Sequence, residues 1–351
     1  MGSCSTIYVA EICEVRNRCM LLSLLEIYFS LGIMVAYVAT CYLKWNIAAL
    51  IFCIFSALSL FLLYWIPESP FWLIKKNRIN EALKCFKKFR CDNKEEETNH
   101  EFKILMLSIE SEENTRNGLA AVIENIKPLC ILVIFHVLLQ GTGYTILLTY
   151  QSSFLKKFTI NLNIEVVGIG YSILSFVASF ITPFSVNYWR RKEVVVLSGV
   201  GMSVSLITLV FCNLFAENGL FNEILLYVIP FFLYLYVSSS TIGVLTLSQA
   251  MIGELYPTDV RGVMCGITEA IGTILSGFSV KVYPLIKDFL NQTDILFFFT
   301  FFGILTILFG KFILPETYGK SLSEIQNEYF PKKNKTSGNT VRSIKDTEGQ
   351  T

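Results

Sequence analysis

Charge is scarce in this chain. Only 16% of its 351 residues are Asp, Glu, Lys or Arg, and they balance to a formal net charge of +1. A nucleic-acid binder needs a basic surface to neutralise phosphates, so that class is set aside. The few charges are bunched between apolar runs rather than spread over a surface. Ten cysteines are present, but their positions show neither the paired spacing of a zinc site nor a secreted disulfide framework. Reduced, packing cysteines are the expectation. Also missing are a Gly-rich phosphate loop, a metal-ligand cluster and a nucleophile beside a base, so no enzyme, cofactor or metal is expected. No ring of charge or repeated filter loop points to a channel. The first apolar run, 19–43, is too long for a signal-peptide core, and no small-residue cleavage site follows it.

What fills the chain instead is apolar: 53% hydrophobic residues and a mean hydropathy of +0.54. For much of its length the solvent is lipid. A bilayer core of about 30 Å needs about 20 apolar residues in helix, because every backbone N–H and C=O must be satisfied within the segment. Eight runs qualify, at 19–43, 47–65, 128–150, 165–187, 193–215, 223–250, 263–286 and 294–314. An even number puts both termini on one side. Arg16 and Arg18, the block from Lys75 to Arg90, the Arg190-Arg191-Lys192 turn, Arg261 and the tail lysines fall on one face, which the positive-inside rule makes cytoplasmic. Asn291-Gln292-Thr293, an acceptor triplet for glycosylation at Asn291, falls in an opposite loop, in independent agreement.

Residues 66–127 form the one long polar stretch. Ile79, Ala82, Leu83, Phe86 and Phe89 recur there at helical spacing, predicting a short amphipathic helix against the inner face, followed by the polar run Asp92 to His100 and a weaker helix near Phe102 to Ile109. After Phe330 the chain is polar and expected to be disordered.

The chain also repeats itself. Ala10-Glu11-Ile12 with Arg18 matches Gly253-Glu254-Leu255 with Arg261, and Ile66-Pro67-Glu68-Ser69 matches Leu314-Pro315-Glu316-Thr317, at offsets of 243 and 248 residues. The first two spans therefore correspond to the last two. Two six-span halves related as parallel repeats would make 1–65 the remnant of an N-terminal half, 66–127 the connector, 128–314 the C-terminal half and 315–351 a cytoplasmic tail. Four spans are then expected upstream of this sequence.

The repeated segments carry a resemblance. Pro67-Glu68-Ser69-Pro70-Phe71-Trp72-Leu73 resembles the PESPRWL motif of sugar porters, Gly253-Glu254-Leu255-Tyr256-Pro257 with Arg261-Gly262 resembles GEIFP..RG, and Leu314 to Leu322 resembles LPETKGKSL. Tyr8-Val9-Ala10-Glu11-Ile12 is similar to the YVAEI end of a fourth span, and Gln140-Gly141-Thr142-Gly143 to a worn QQLSGIN. The resemblance implies an all-α membrane protein with a partial major facilitator superfamily fold, about eight of its twelve transmembrane helices. The nearest group is the insect facilitated trehalose transporters.

Alternating-access transport of trehalose or a hexose, facilitative or proton-linked, is the implied function, in a multi-pass plasma-membrane protein with both termini cytoplasmic. A truncated or diverged member that senses or does nothing stays open beside it. Partners would be a sugar, the lipid bilayer and, in the coupled case, protons. Glu254, Arg261, Arg191 and Glu316, with Glu11, Arg18 and Glu68 from the first half, are candidates for a cytoplasmic gate, since carboxylates and guanidiniums at span ends can pair across helices and release as the halves rock. Carried over by position, the sugar-binding candidates are Gln140, Thr145, Ser175 and Gln249. Thr145 and Ser175 replace asparagines and Gln249 a tryptophan, while Gly272-Thr273 replace an Asn-Trp pair, so most of the hydrogen-bonding wall is altered. Glu26 stands where the resemblance has a glutamine, inside an apolar run where an ionised carboxylate is expensive. It is a candidate sugar acceptor or proton-coupling site. His136 is expected to be a packed or pore-lining histidine, Glu269 and Lys281 to lie nearer the membrane faces, and Phe297-Phe298-Phe299 to face lipid.

Overall fold

A computed structural model describes residues 5, 8–9, 11–13, 18–89, 98–99, 101–103, 105–107, 109, 125–158, 164–217, 223–256, 261–317 and 328–329. All regular structure among them is helical. The long helices are α1 (Arg18–Tyr42), α2 (Trp45–Leu63), α5 (Ile126–Gly141), α6 (Tyr144–Phe158), α7 (Ile164–Tyr188), α8 (Arg191–Glu217), α9 (Glu223–Ser240), α10 (Thr246–Leu255), α11 (Arg261–Phe289) and α12 (Gln292–Phe312); two short ones, α3 (Pro70–Lys75) and α4 (Ile79–Phe89), lie between α2 and α5. Taken with their short breaks, they supply eight helical stretches long and apolar enough to cross a membrane, matching the eight expected runs with shifted edges.

The breaks have identifiable chemistry. Gly143 sits at φ +80° between α5 and α6, a left-handed conformation that glycine adopts without penalty. The Phe299 ring also lies where its Cβ would be, 2.5 Å away at the nearest atom. Between α9 and α10 the backbone widens into a π turn at Thr241–Leu245, and the Thr246 hydroxyl donates to the freed Thr241 carbonyl at 2.7 Å. Pro183, Pro230 and Pro284 stand inside α7, α9 and α11. In the polar stretch, Ser69 caps α3 with Pro70 as the first helical residue. Asn77, at φ 58°, ends α3 in a left-handed cap whose neighbour Arg78 donates its N–H to the Leu73 carbonyl at 2.9 Å.

Close packing depends on small residues, as expected where lipid removes the hydrophobic drive between helices. A Cβ on Gly199 would meet Ile307, one on Gly303 would meet Ser203, and one on Gly310 would meet Val195, so α8 and α12 approach along a shared seam. On the other flank α1 lies along α7, with Tyr37 over Gly168. The core gathers Phe135, Tyr171, Met202, Tyr236 and Leu296. α2 contrasts with all of this: it packs mainly against α1, and within it only Ala48 is buried.

The amphipathic α4 is present where the sequence places it. Its buried Ala82 and Phe86 join Leu73, Ile74, Phe102 and Ile109 in a separate small core, so the described part of the connector packs on itself. Two expectations are corrected. Phe299 is buried against Gly143 and the core, whereas Phe297 and Phe298 are exposed as expected. Among the cysteines described, none of which forms a disulfide, Cys53 and Cys130 are exposed rather than packed. The segment 91–97, His100 and everything after Tyr329 lie outside the described residues.

Candidate functional site

Three helix ends meet in a buried polar network at the side expected to be cytoplasmic. α8 begins at Arg191, α10 ends at Leu255, and α12 leads into Leu314-Pro315-Glu316-Thr317. The Arg191 guanidinium donates to Glu254 across 3.0 Å, with the side chains 6% and 9% exposed. The Thr317 hydroxyl donates to the other Glu254 oxygen. Glu316 turns the opposite way and accepts from the backbone N–H groups of Arg191 at 3.1 Å and Lys192 at 3.4 Å. Those N–H groups are unsatisfied in any helix and carry the positive end of its dipole, so a carboxylate there is both a cap and a charge complement. One residue stretch after α12 thereby holds the start of α8 and the end of α10 together.

The repeat reproduces part of this at the first half. The Ser69 hydroxyl donates to Glu11 at 2.5 Å, the same bond that Thr317 makes to Glu254, between residues that correspond in the two matched segments. The Tyr8 hydroxyl donates to the Pro67 carbonyl at 2.7 Å and fastens the same corner. Burial pushes the Tyr8 phenol above its ordinary pKa. Glu68, the counterpart of Glu316, is exposed. The side chains of Arg18 and Arg261 lie outside the described residues. Ser69 and Thr317 were not singled out in the sequence; their signal was the matching hydroxyl at the end of each repeated Pro-Glu pair.

Toward the middle of the helices a second polar group forms around Tyr144, at the start of α6. Its phenol is buried near Ser175 on α7, Thr241 in the π turn and Glu26 on α1. Ser175 and Thr241 stand 3.5 Å apart. Glu26 is 8% exposed, and its Oε1 has no hydrogen-bond partner; the same is true of the buried Tyr171 hydroxyl nearby. Tyr236 donates to the Thr142 carbonyl at 2.9 Å and so ties α9 to the break before α6. This arrangement places Glu26 and Ser175 near Tyr144, a residue missed in the sequence because a tyrosine in an apolar run looks like packing. Its only signal was its place directly after Gly143. Chemically, the group offers hydroxyls and a free carboxylate oxygen to a ligand that can donate.

The remaining sugar-binding candidates lie elsewhere. Gln140 lines a cavity of about 460 Å³ between α5, α11 and α12, whose wall is otherwise mostly apolar, including Leu275, Phe298 and Phe302. Its Oε1 is buried without a partner. Thr145 is half-buried on the first turn of α6. Gln249, half-buried on α10, reaches Glu269 on α11, which His136 also faces. Glu269 therefore turns toward neighbouring helices rather than snorkelling to a membrane face as expected, whereas Lys281 is exposed. Asn291 is the exposed residue before α12 with its amide unused as a cap, and Thr293 of the same triplet is buried, accepting from Asn213 at 2.7 Å.

Known proteins match this chain over most of its length. A family model described as Sugar (and other) transporter matches residues 2–329. The chain is 26% identical over 332 residues to the facilitated trehalose transporter Tret1 of Apis mellifera ligustica, covering 92% of this chain and 64% of that protein. It is 26% identical over 346 residues to the glucose transporter GlcP of Staphylococcus epidermidis, covering 93% and 73%. It superposes on the major facilitator superfamily proton:xylose symporter XylE bound to 6-bromo-6-deoxy-D-glucose with a TM-score of 0.78 at 19% identity, covering 93% of this chain and 70% of the other. Against inward-open XylE from E. coli the TM-score is 0.65 at 20% identity, with 92% and 68% covered. The helices thus have the major facilitator superfamily fold, and the chain spans only about two thirds of the length of these proteins.

Proposed function

Because the chain belongs to the sugar (and other) transporter family, we propose that it carries a neutral sugar, trehalose or a hexose, across a lipid bilayer by alternating access. The observation that carries this is the Arg191–Glu254–Thr317 network with the Glu316 cap on α8. Its bonds are directional and buried, so together they fix the placement of three helix ends at one corner of the 128–314 half. A lock of that kind suits a carrier that must close its inner side while the outer side is open. Glu11, Arg18 and Glu68 serve the matching gate of the first half, and Arg261, at the start of α11, joins Glu254 as a gate residue in this reading.

Glu26, Ser175 and Tyr144 form the wall that meets the sugar, with Gln140, Thr145 and Gln249 contributing from α5, α6 and α10. Sugar hydroxyls donate to the free Glu26 oxygen and exchange bonds with the Ser175 and Tyr144 hydroxyls. Transport is facilitative or proton-linked, and Glu26, a carboxylate held in a dry setting, is the place for a coupled proton. Residues 1–65 belong to one half, 128–314 form the other, 66–127 connect them on the cytoplasmic side and 315–351 form a tail. The protein sits in the plasma membrane with both termini inside and Asn291 outside, where a glycan attaches.

Uptake of labelled trehalose and glucose into vesicles containing this chain tests the proposal. Saturable entry that unlabelled sugar competes away supports it. Flux equal to that of empty vesicles would leave a protein that does not transport these sugars.

A further inference from the structure

One buried polar group lies outside both the gate and the proposed sugar wall. His136, on α5, is 4% exposed. Its Nδ1 stands 2.9 Å from the Leu132 carbonyl oxygen, which can only accept, so in the neutral ring the proton sits on Nδ1 and Nε2 is an acceptor. That Nε2 is buried and has no hydrogen-bond partner. Leaving a buried acceptor unmade is destabilising, and an apolar side chain would have filled the same space on a helix that is otherwise mostly apolar.

The ring is pressed against α11 at Gly272. A Cβ there would stand 2.5 Å from His136 Cδ2 and 3.0 Å from Nε2. The imidazole therefore occupies the volume that any side chain at 272 would take. One turn before Gly272 on the same face, Glu269 faces His136 and is reached by Gln249. One turn after His136 on α5, Gln140 carries the second unpartnered acceptor, Oε1. Two buried acceptors one turn apart on one helix can each take a donor from one polyhydroxylated ligand.

Building on the sugar-carrier proposal, we propose that His136 is a substrate-binding residue whose Nε2 accepts a hydrogen bond from one sugar hydroxyl. It works from α5 across the seam where α11 has only Gly272. Gln140 takes another hydroxyl of the same sugar. Because Nε2 accepts, the sugar hydroxyl must donate, and fluorine in its place cannot.

The test measures inhibition of labelled glucose uptake by a set of deoxy and fluoro analogues, using the full chain in vesicles. In the unaltered chain one position is expected to stand out, with both its deoxy and its fluoro analogue inhibiting about tenfold more weakly than glucose, the loss of about one net hydrogen bond. His136→Phe keeps a ring against Gly272 and removes the acceptor; that tenfold ratio should fall to about one while ratios at other positions stay put. Gly272→Ala should lower the amount of folded protein by crowding the ring, and His136→Ala/Gly272→Ala should restore the folded amount but, lacking the acceptor, keep the analogue ratio at about one, which keeps the test open if either single variant folds poorly. A ratio that survives in His136→Phe, or a fluoro analogue at that position as good as glucose, overturns the assignment of His136 alone. Absence of any sugar-dependent flux in the unaltered chain overturns the carrier proposal and His136's part in it together.

Discussion

Replacing Arg191 by methionine removes a guanidinium and leaves the Glu254 carboxylate where it was, 9% exposed at the side chain, with Thr317 still donating to it. Breaking a buried pair from one side costs about 3–5 kcal/mol, because the surviving charge stays desolvated without its partner. The Glu316 cap is untouched, since it is bonded to backbone N–H groups rather than to the guanidinium. Removing both charges is a different perturbation. Arg191→Met/Glu254→Leu takes both charges of the pair out together, and the Thr317 hydroxyl loses its acceptor, about 1 kcal/mol. The double variant should therefore recover at least about 2 kcal/mol of what the single variant lost, a coupling within the range seen for contacting residues. Denaturation in mixed detergent micelles, followed by circular dichroism for the unaltered chain, both single variants and the double, supplies the numbers. If Arg191→Met lies within about 1 kcal/mol of the unaltered chain, or if the two substitutions add, the network does not hold the helix ends as described.

Other expectations follow from the same contacts. Gly143→Ala forces a left-handed backbone onto alanine, about 1–2 kcal/mol, and drives its methyl into Phe299, whose ring is 2.5 Å from the Cβ position; Gly143→Ala/Phe299→Ala should recover the second part in the same denaturation assay. Ser69→Ala deletes the α3 cap and the Glu11 bond together and should destabilise by about 1–2 kcal/mol. Tyr256, directly after α10, has its phenol pushed up to about 12 by burial, from an ordinary 10.0. Its folded pKa lies above its unfolded one, so the stability it contributes is complete below pH 10 and fades as pH rises toward about 12. The ultraviolet difference between the unaltered chain and Tyr256→Phe should accordingly show a late ionisation, and one centred near 10 would contradict the burial. Asn291→Gln should abolish an enzymatically removable glycan on protein made in a glycosylating cell; a shift that survives places the sugar elsewhere.

Hydropathy made the eight spans legible, because in lipid the length and apolarity of a run nearly dictate a helix. What hydropathy could not show is where those helices break. Gly143 looked like part of a worn motif, and only the three-dimensional crowding with Phe299 reveals why the chain turns there. The same crowding defeated the expectation for Phe299, since three consecutive phenylalanines on a helix point in three directions and one of them met a glycine. The gate candidates Arg191, Glu254 and Glu316 were readable because buried charges at span ends need partners, and the repeat said which ends correspond. The proposed sugar wall was less readable. Ser175 and Glu26 were proposed by position, whereas Tyr144, buried near them, came only from the fold, because a tyrosine's hydroxyl is silent in a hydropathy profile.

Counterflow tests the carrier most directly. Vesicles holding this chain, preloaded with unlabelled glucose or trehalose and diluted into a trace of the labelled sugar, should draw label in transiently above its outside concentration, because a site that faces each side in turn exchanges faster than it returns empty. Label that enters no faster with preloading than without, and no faster than into empty vesicles, would contradict alternating access by this protein.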